Sequence, residues 1–434
     1  TVHCWNENAG AIGVAVLAAR HVSGKSRFKG ATALESFRQV LRGFTCKRCE
    51  NRCTVHVARV AGGGRFFAGG LCDRYEGRGR GEGSAALDLL AERESALAPW
   101  VAAARPDAPD AIGIPRALLF HDQLPFWSAF LASLDIPYKL SEPTGPTTLE
   151  RGGAIVRRGT CLPLRIAYGH TAELMESGCH HVLVPSVASR RAGTAEERLS
   201  HACPAVQGWP YTTRALFGAD GRIVAPRLRL SMPNLERRDV RELGRSLGHG
   251  ARRTGAAYEA GLAAQSSFRE AMLRRGDEVL AARSGTDTVA LLGRPYAMFD
   301  QQLRLRLSRV LADAGLVAIP MEMLRDEAAS SEDLNGMYWH HGKRMLQVAR
   351  RIRSLGDLPV IVFSSFGCGP DAFIMHMLRR ELGPVPTLEL EIDEHSEVNG
   401  VHTRVEAFRW ALGTPREAPP RAPEAPGAAT RRDL

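Results

Sequence analysis

The sequence has few aromatic residues, no long apolar run and none of the common nucleotide-binding motifs. Phe, Trp and Tyr together make up 6% of its 434 residues. No apolar run is long enough to cross a bilayer, and the start lacks the basic and apolar segments of a signal peptide. We find no Walker loop, no dinucleotide fingerprint and no supported Ser/His/Asp arrangement. These absences argue against a membrane protein, a P-loop NTPase and a dinucleotide-dependent enzyme.

The charge balance is basic, with a formal net charge of +10 and a pI near 9.4. A basic surplus can serve nucleic acid or an anionic ligand such as a nucleotide or coenzyme A. The arginines here are scattered through the chain and form no basic stripe interleaved with aromatic residues. We therefore interpret most of them as solvated surface charge and expect no nucleic-acid partner.

The nine cysteines are an odd number in a chain without a visible secretory signal. This combination favours a reducing compartment, where thiols serve metals or catalysis rather than disulfides, and we expect a cytoplasmic protein. The chain begins at Thr1 and not at Met, which suggests a processed product or a fragment of a longer protein.

The first cysteine group lies within residues 38–76 and has metal-ligand spacing. Three cysteines follow the pattern C-x2-C-x3-C, and a fourth comes after a predicted hairpin: Cys46, Cys49, Cys53 and Cys72. Four thiolates from two turns suit a tetrahedral zinc or an iron–sulfur cluster, and the sequence favours neither. The hairpin is predicted from alternating valines at 55, 57 and 60, a glycine turn and Phe66-Phe67. The alternative interpretation is four buried free cysteines.

From residue 111 onward, short apolar segments alternate with helical patterns. This alternation predicts an α/β fold with two parallel-sheet subdomains, Rossmann-like or flavodoxin-like, at 111–215 and 285–412. In each, a strand leads into a turn with Gly and Pro, at Ile112–Arg116 and Leu292–Tyr296, which hints at two related halves. The segment GAIVRRG, residues 153–159, is predicted as a strand.

The remaining segments have other patterns. Residues 1–24 resemble the end of a domain whose body is missing, and 77–110 predict a linker that contains one helix. Residues 216–284 predict a helical connector. The Pro-, Ala- and Arg-rich stretch 413–434 predicts a disordered tail.

A second cysteine group consists of Cys161, Cys203 and Cys368, each followed within two residues by a proline. Proline suits the first turn of a helix, and the positive helix end lowers the pKa of a cysteine placed there. If these turns gather at one edge of a parallel sheet, three thiolates can hold a cluster with one open position. The alternative is that each is a small buried apolar residue, and for Cys4 and Cys179 that interpretation is preferred.

The histidines carry weaker signals. His170 and His376 fall in predicted helices and are expected to be packing residues, whereas the pair His340-His341 is expected at the surface. His395 ends an acidic segment, where a histidine could move protons.

Several motifs in order resemble the acyl-CoA dehydratase activase-related family, relatives of the 2-hydroxyacyl-CoA dehydratases, such as the 2-hydroxyglutaryl-CoA enzyme, and of double-cubane cluster proteins. The motifs are IGIPRALLF, CLPLRIAYGH, CP-x-VQ, LLGRPYAMFD, FGCGPDAFI and ELEIDEHSEVNGVHTRVEAF, within residues 8–408. The resemblance implies an anaerobic setting in which an activase uses ATP hydrolysis to drive a low-potential electron into a dehydratase. It also implies that Cys161, Cys203 and Cys368 bind a [4Fe–4S] or double-cubane cluster between α/β subdomains.

The same resemblance implies partners and limits. Residues 1–24 look like the last helix of the activase ATPase domain, so ATPase activity is not expected from this chain alone. The expected partners are that ATPase as a domain or subunit, a CoA-thioester substrate, and a second subunit in a homo- or heterodimer. The alternative function is a zinc-stabilised scaffold, without catalysis, that docks the activase onto its dehydratase.

Overall fold

The computed structural model describes most of the chain from residue 87 onward and four short segments before it. The described residues are 13–16, 42–47, 54–59, 65–68, 87–156, 159–190, 200–218, 221–283, 287–304, 306–326, 334, 336–394 and 396–413. The chain divides into two compact units, residues 1–85 and 86–434, and each is described by itself.

The described part of the first unit contains a short helical segment at 13–16 and a three-stranded antiparallel sheet. Its order is β1-β2-β3, with strands Arg42–Thr45, Thr54–Arg59 and Arg65–Ala68. β2 and β3 pair from His56↔Ala68 to Arg59↔Arg65, which confirms the hairpin that the alternating valines predicted. β1 adds a strand that the sequence pattern did not reveal, and it ends directly before Cys46.

The second unit begins with a helix and a four-stranded parallel sheet of order β5-β4-β6-β8. β4 is central and pairs with both β5 and β6 through Ile112. The elements are α1 Leu89–Ala102, β4 Ile112–Ile114, α2 Phe120–Ser133, β5 Tyr138–Leu140, α3 Pro146–Ile155, α4 Leu162–Glu176, β6 His181–Leu183 and β8 Ile223–Val224.

Two further strands and three helices connect this sheet to the next. β7 and β9 form a small parallel pair, and the long helix α7 packs closely on α2. The elements are β7 Ser186–Ser189, α5 Pro204–Phe217, β9 Arg227–Arg229, α6 Pro233–Ser246 and α7 Ala251–Ala282. The stretch 216–284, predicted as helical, thus holds two helices and also the short strands β8 and β9.

The second parallel sheet has the order β11-β10-β12-β13, and all of its pairs are parallel. Its elements are β10 Thr288–Gly293, α8 Pro295–Phe299, α9 Leu307–Asp313, β11 Val317–Pro320, α10 His340–Leu355, β12 Val360–Ser365, α11 Gly369–Leu382, β13 Thr387–Ile392 and α12 Val398–Gly413. The strands β10 and β12 are almost entirely buried, as expected for a parallel sheet covered on both faces.

The two parallel sheets share one topology. In each, the first strand of the sheet lies between the second and the third, and the fourth strand lies at the far edge. This 2-1-3-4 order is the one with which flavodoxin-like sheets begin, and ligands in such sheets bind beyond the carboxyl ends of the strands. The predicted α/β class with parallel sheets is therefore confirmed.

The predicted strand at 153–159 is wrong, because residues 153–155 belong to helix α3. Pro146 begins this helix, and a glycine on each helix lets α3 approach α4 closely. A Cβ on Gly152 would lie 2.1 Å from the Arg165 carbonyl oxygen, and one on Gly169 would lie 2.1 Å from that of Thr148. The short run of apolar residues is thus stabilised as a helix by a neighbour that the local pattern does not reveal.

Candidate functional site

Each of the three dispersed cysteines is the residue immediately before a helix. Cys161 precedes α4, Cys203 precedes α5 and Cys368 precedes α11, and each helix has proline in its first two positions. The prolines predicted these helix starts correctly. Cys368 follows strand β12, as expected, whereas Cys161 follows the helix α3 and not a strand.

The thiols are partly or fully shielded from solvent and are not in disulfides. Cys203 is buried, while Cys161 and Cys368 are half-buried, and all three are free. All three cysteines interact electrostatically with one neighbouring residue, Arg294. The guanidinium of Arg294 acts electrostatically on the thiols of Cys161 and Cys368, and that of Cys203 acts on Arg294. Cys161 also feels Cys203 directly. The three cysteines thus share an electrostatic environment centred on one buried arginine.

The prediction that the helix ends lower the thiol pKa values is wrong for two of these cysteines. Burial raises the pKa of Cys161 above its ordinary value. Burial, with Asp371 nearby, raises the pKa of Cys368 to about 12. Loss of hydration disfavours the thiolate more strongly than one helix end favours it. Without a positive ligand, these two thiols are therefore protonated at neutral pH.

Arg294 follows strand β10 and is buried, with 1% of its surface exposed. Its Nε donates a hydrogen bond of 2.6 Å to Asp371 Oδ1 on helix α11. Its Nη2 has no hydrogen-bond partner among the described residues. A buried donor without an acceptor costs roughly 1–3 kcal/mol, which makes such an atom a marker for a missing ligand.

Among the described residues, no group of three or more His, Cys, Asp or Glu side chains could hold a metal ion. The three cysteines are therefore not gathered around a single ion. An iron–sulfur cluster makes a different demand, since each thiolate binds a separate iron atom of the cluster. Three free thiols at helix starts, beside a guanidinium with an unpartnered donor, fit a negatively charged cluster better than one bare ion.

For the first cysteine group, Cys46 is buried directly after strand β1. Its three expected co-ligands, Cys49, Cys53 and Cys72, lie outside the described residues, as do Cys4 and His395. The four-cysteine site therefore stays a prediction. Cys179 is buried and free, in agreement with its expected packing role.

A second buried polar cluster, which the sequence pattern did not reveal, lies between α2 and α10. Asp122 accepts a hydrogen bond of 2.5 Å from Arg190 Nη1, and the same nitrogen lies 3.3 Å from His341 Nε2. His340 bonds to Ser200 across 2.9 Å. The prediction of a surface position is wrong for His341, which is 5% exposed. Helix α10 presents this face inward, and its sequence alone does not show which face packs.

Burial sets the protonation of this cluster. It lowers the pKa of His341 to about 4, and the pKa of Asp122 lies below its ordinary value because Arg190 and His341 outweigh burial. His341 is therefore a neutral imidazole at neutral pH.

Of the two other predicted helical histidines, His170 is fully buried and His376 is exposed.

Comparisons with known proteins point to one family. Residues 111–324 match the family model described as the CoA enzyme activase uncharacterised domain. No curated protein matches the chain. Two solved structures are weakly similar. Glucosamine-6-phosphate deaminase from Thermotoga maritima has 9% identity and a TM-score of 0.18, covering 75% of this chain and 91% of its own. Tagatose-6-phosphate ketose/aldose isomerase from Escherichia coli has 13% identity and a TM-score of 0.19, covering 78% and 91%.

The second unit is thus an α/β structure with two parallel sheets and three cysteines at the N-cap positions of helices. The family model that matches residues 111–324 is that of the CoA enzyme activase-related family that the motifs predicted. No helix among the described residues is long and apolar enough to cross a membrane.

Proposed function

We propose that this chain is an iron–sulfur protein in which Cys161, Cys203 and Cys368 hold the cluster. Its role would be low-potential electron transfer to a reaction of the 2-hydroxyacyl-CoA dehydratase type, or reduction of a small or CoA-thioester substrate. One observation carries the proposal: three free cysteines at helix starts interact electrostatically with Arg294, whose buried Nη2 has no hydrogen-bond partner among the described residues. The match of residues 111–324 to the CoA enzyme activase family model supports it.

The chain's own residues suit this role. The helix N-termini behind Cys161, Cys203 and Cys368 favour negative charge on the ligating sulfurs. Arg294 offsets that charge, and Asp371 fixes the orientation of Arg294 through its hydrogen bond to Nε. Arg294 Nη2 is available to donate to a sulfur acceptor, a type of contact that tunes cluster potentials. When bound, the cluster would supply a one-electron carrier.

The other expected components complete the proposal. Cys46, Cys49, Cys53 and Cys72 would hold zinc or a second iron–sulfur cluster. The electron would come from an ATP-hydrolysing activase, as a domain or a subunit, because this chain shows no nucleotide motif. The partner set would also include a CoA thioester and a second subunit in a dimer, in the cytoplasm of an anaerobic cell.

The test is anaerobic purification and cluster reconstitution, followed by iron, sulfide and zinc analysis and EPR of the reduced protein. We expect iron, sulfide and a reduced-cluster signal, and we expect the Cys203→Ser variant to lose most of the iron bound by the second unit. Cys179→Ser is the matched control, because Cys179 is also buried and free but precedes no helix. A colourless protein with zinc and no iron would instead support the zinc-stabilised scaffold and overturn the electron-transfer proposal.

A further inference from the structure

The first parallel sheet borders a cavity that the proposed cluster site does not use. It lies beyond the carboxyl ends of β4 and β5 and has a volume of about 50 Å³. Its apolar wall is formed by helices α1 and α2 with residues from β5 and α8, including Leu97, Phe120, Leu124, Leu140 and Phe299. Its polar end contains Arg116, His121, Thr144 and Asp300. The carboxyl edge of a parallel sheet is where ligands of such folds bind.

The carboxylate at the polar end is fully satisfied by protein groups. Asp300 Oδ1 accepts the backbone N–H groups of Gln302 and Leu303, each at 2.9 Å, and Oδ2 accepts the Thr144 hydroxyl at 2.5 Å. Burial opposes ionisation, but these hydrogen bonds and His121 hold the pKa of Asp300 below its ordinary value. Asp300 is therefore an anion that needs no further cation.

Two hydrogen-bond donors at the polar end of the cavity have no acceptor among the described residues. Arg116 Nε and His121 Nε2 are both buried and have no hydrogen-bond partner among the described residues. Burial lowers the pKa of Arg116, and Glu142, Glu94 and Glu173 oppose this shift from beyond ion-pair distance. His121 Nε2 lies 3.7 Å from Asp300 Oδ2, which is too far for a hydrogen bond. The cavity thus offers two unused donors, one of them on a cation, and no acceptor among the described residues bonds to either.

We propose that this cavity binds a small monocarboxylate, with its acid group on Arg116 and His121 and its aliphatic part on the apolar wall. A guanidinium pairs with a carboxylate through two parallel hydrogen bonds. A phosphate dianion fits less well, because the ionised Asp300 lies at the same end of the cavity and Glu94 adds a second carboxylate to its lining. By the rule that one water needs about 10–15 Å³, the cavity of about 50 Å³ accommodates about three to five non-hydrogen atoms.

The experiment uses propionate as the probe, with the full chain and ligand-detected NMR or calorimetry. Propionamide and inorganic phosphate are controls of about the same size, with five non-hydrogen atoms each. We expect propionate to bind at least about tenfold more tightly than either control, because only a carboxylate forms the charge-assisted pair. Equal binding of propionamide, or tighter binding of phosphate, would overturn the proposal.

Variants test the residues. Arg116→Gln should weaken propionate binding about 10- to 100-fold, and Arg116→Lys should have an intermediate effect. Arg238→Gln is the matched control, because Arg238 is an exposed arginine paired with Glu242 on α6. Val101→Phe, which fills the cavity and leaves Arg116 in place, should also abolish binding. Unchanged affinity in Arg116→Gln contradicts the proposal, and none of these outcomes depends on the cluster, since Cys203→Ser should bind propionate normally.

Discussion

The two parallel sheets of the second unit have one topology and two different chemistries. Both have the strand order 2-1-3-4, and in both the first strand runs into a turn with Gly and Pro. After β4 the turn leads to Arg116, which has no ion pair among the described residues and borders a cavity. After β10 the turn contains Arg294, which is buried and paired with Asp371.

This difference shows how a repeated framework acquires separate sites. The topology places a turn at the same sheet edge in each half, but residues from distant segments decide what that turn does. Asp371 on α11 fixes Arg294 beside Cys368, whereas no carboxylate among the described residues forms an ion pair with Arg116. The second half is therefore organised around a rigid buried ion pair, and the first around a cation available to a ligand.

The largest expected effect is on the buried pair of the second half. Arg294→Met should lower the free energy of unfolding by about 3–5 kcal/mol, because it leaves the Asp371 carboxylate buried without its cation. Arg116→Met in the first half should change it by less than about 1 kcal/mol, because no described carboxylate loses a partner. Urea unfolding followed by circular dichroism measures both.

The double variant Arg294→Met with Asp371→Leu is the control for this contrast. Removing both charges should recover much of the lost stability, since two apolar side chains of similar volume replace the pair. If Arg116→Met costs as much as Arg294→Met, the contrast between the two halves is wrong.

The next effect concerns one buried imidazole on a helix of each half, His170 on α4 and His341 on α10. Burial lowers the pKa of each to about 4. Each is neutral in the folded chain, whereas in the unfolded chain it is protonated below about pH 6.5. Between these pH values the unfolded state binds more protons than the folded state. The free energy of unfolding should therefore decrease as the pH is lowered from about 6.5, by on the order of 3 kcal/mol per histidine at pH 4.

Burial is the main cause of both pKa shifts, and the charges around each histidine change their size. His170 faces Asp300, which opposes the shift, and His121 and Arg116, which add to it. His341 faces Asp122, which opposes the shift, and Arg190 and Arg294, which add to it. His170→Gln and His341→Gln should each flatten the pH dependence of urea unfolding, whereas the exposed His376→Gln should not. A slope unchanged in both buried variants would contradict the assignment.

The sequence predicted the features that depend on neighbouring residues in the chain, namely the strands and the helix starts. Alternating patterns predicted the parallel sheets, and prolines predicted the starts of α4, α5 and α11, because proline fixes φ and suits the first helical turn. It could not predict the Arg294–Asp371 pair, whose members are 77 positions apart, or the burial of His341. The thiol pKa values were predicted in the wrong direction because burial depends on tertiary packing. The strand at 153–159 was wrong for the same reason.

The smallest expected effect is at two equivalent glycines, Gly113 in β4 and Gly293 at the end of β10, each two residues before the proline of the following turn. A Cβ at Gly293 would lie 2.5 Å from the Phe363 carbonyl oxygen on the neighbouring strand, and backbone in a buried sheet cannot easily move. A Cβ at Gly113 would meet only the Leu174 side chain, at 3.2 Å, and a displacement of a few tenths of an ångström relieves that contact. Gly293→Ala should therefore lower the free energy of unfolding by about 1–3 kcal/mol and Gly113→Ala by less than about 1 kcal/mol.

Gly255→Ala is the reference for this comparison, because Gly255 lies in helix α7 with no atom within 4 Å of its added Cβ. There the substitution should stabilise the protein by up to about 1 kcal/mol through helix propensity alone. Equal losses at Gly113 and Gly293 in urea unfolding would mean that the two turns are packed alike. The structure instead makes the turn after β10, beside Arg294, the less tolerant one, because there the neighbouring strand's backbone leaves no room for a side chain.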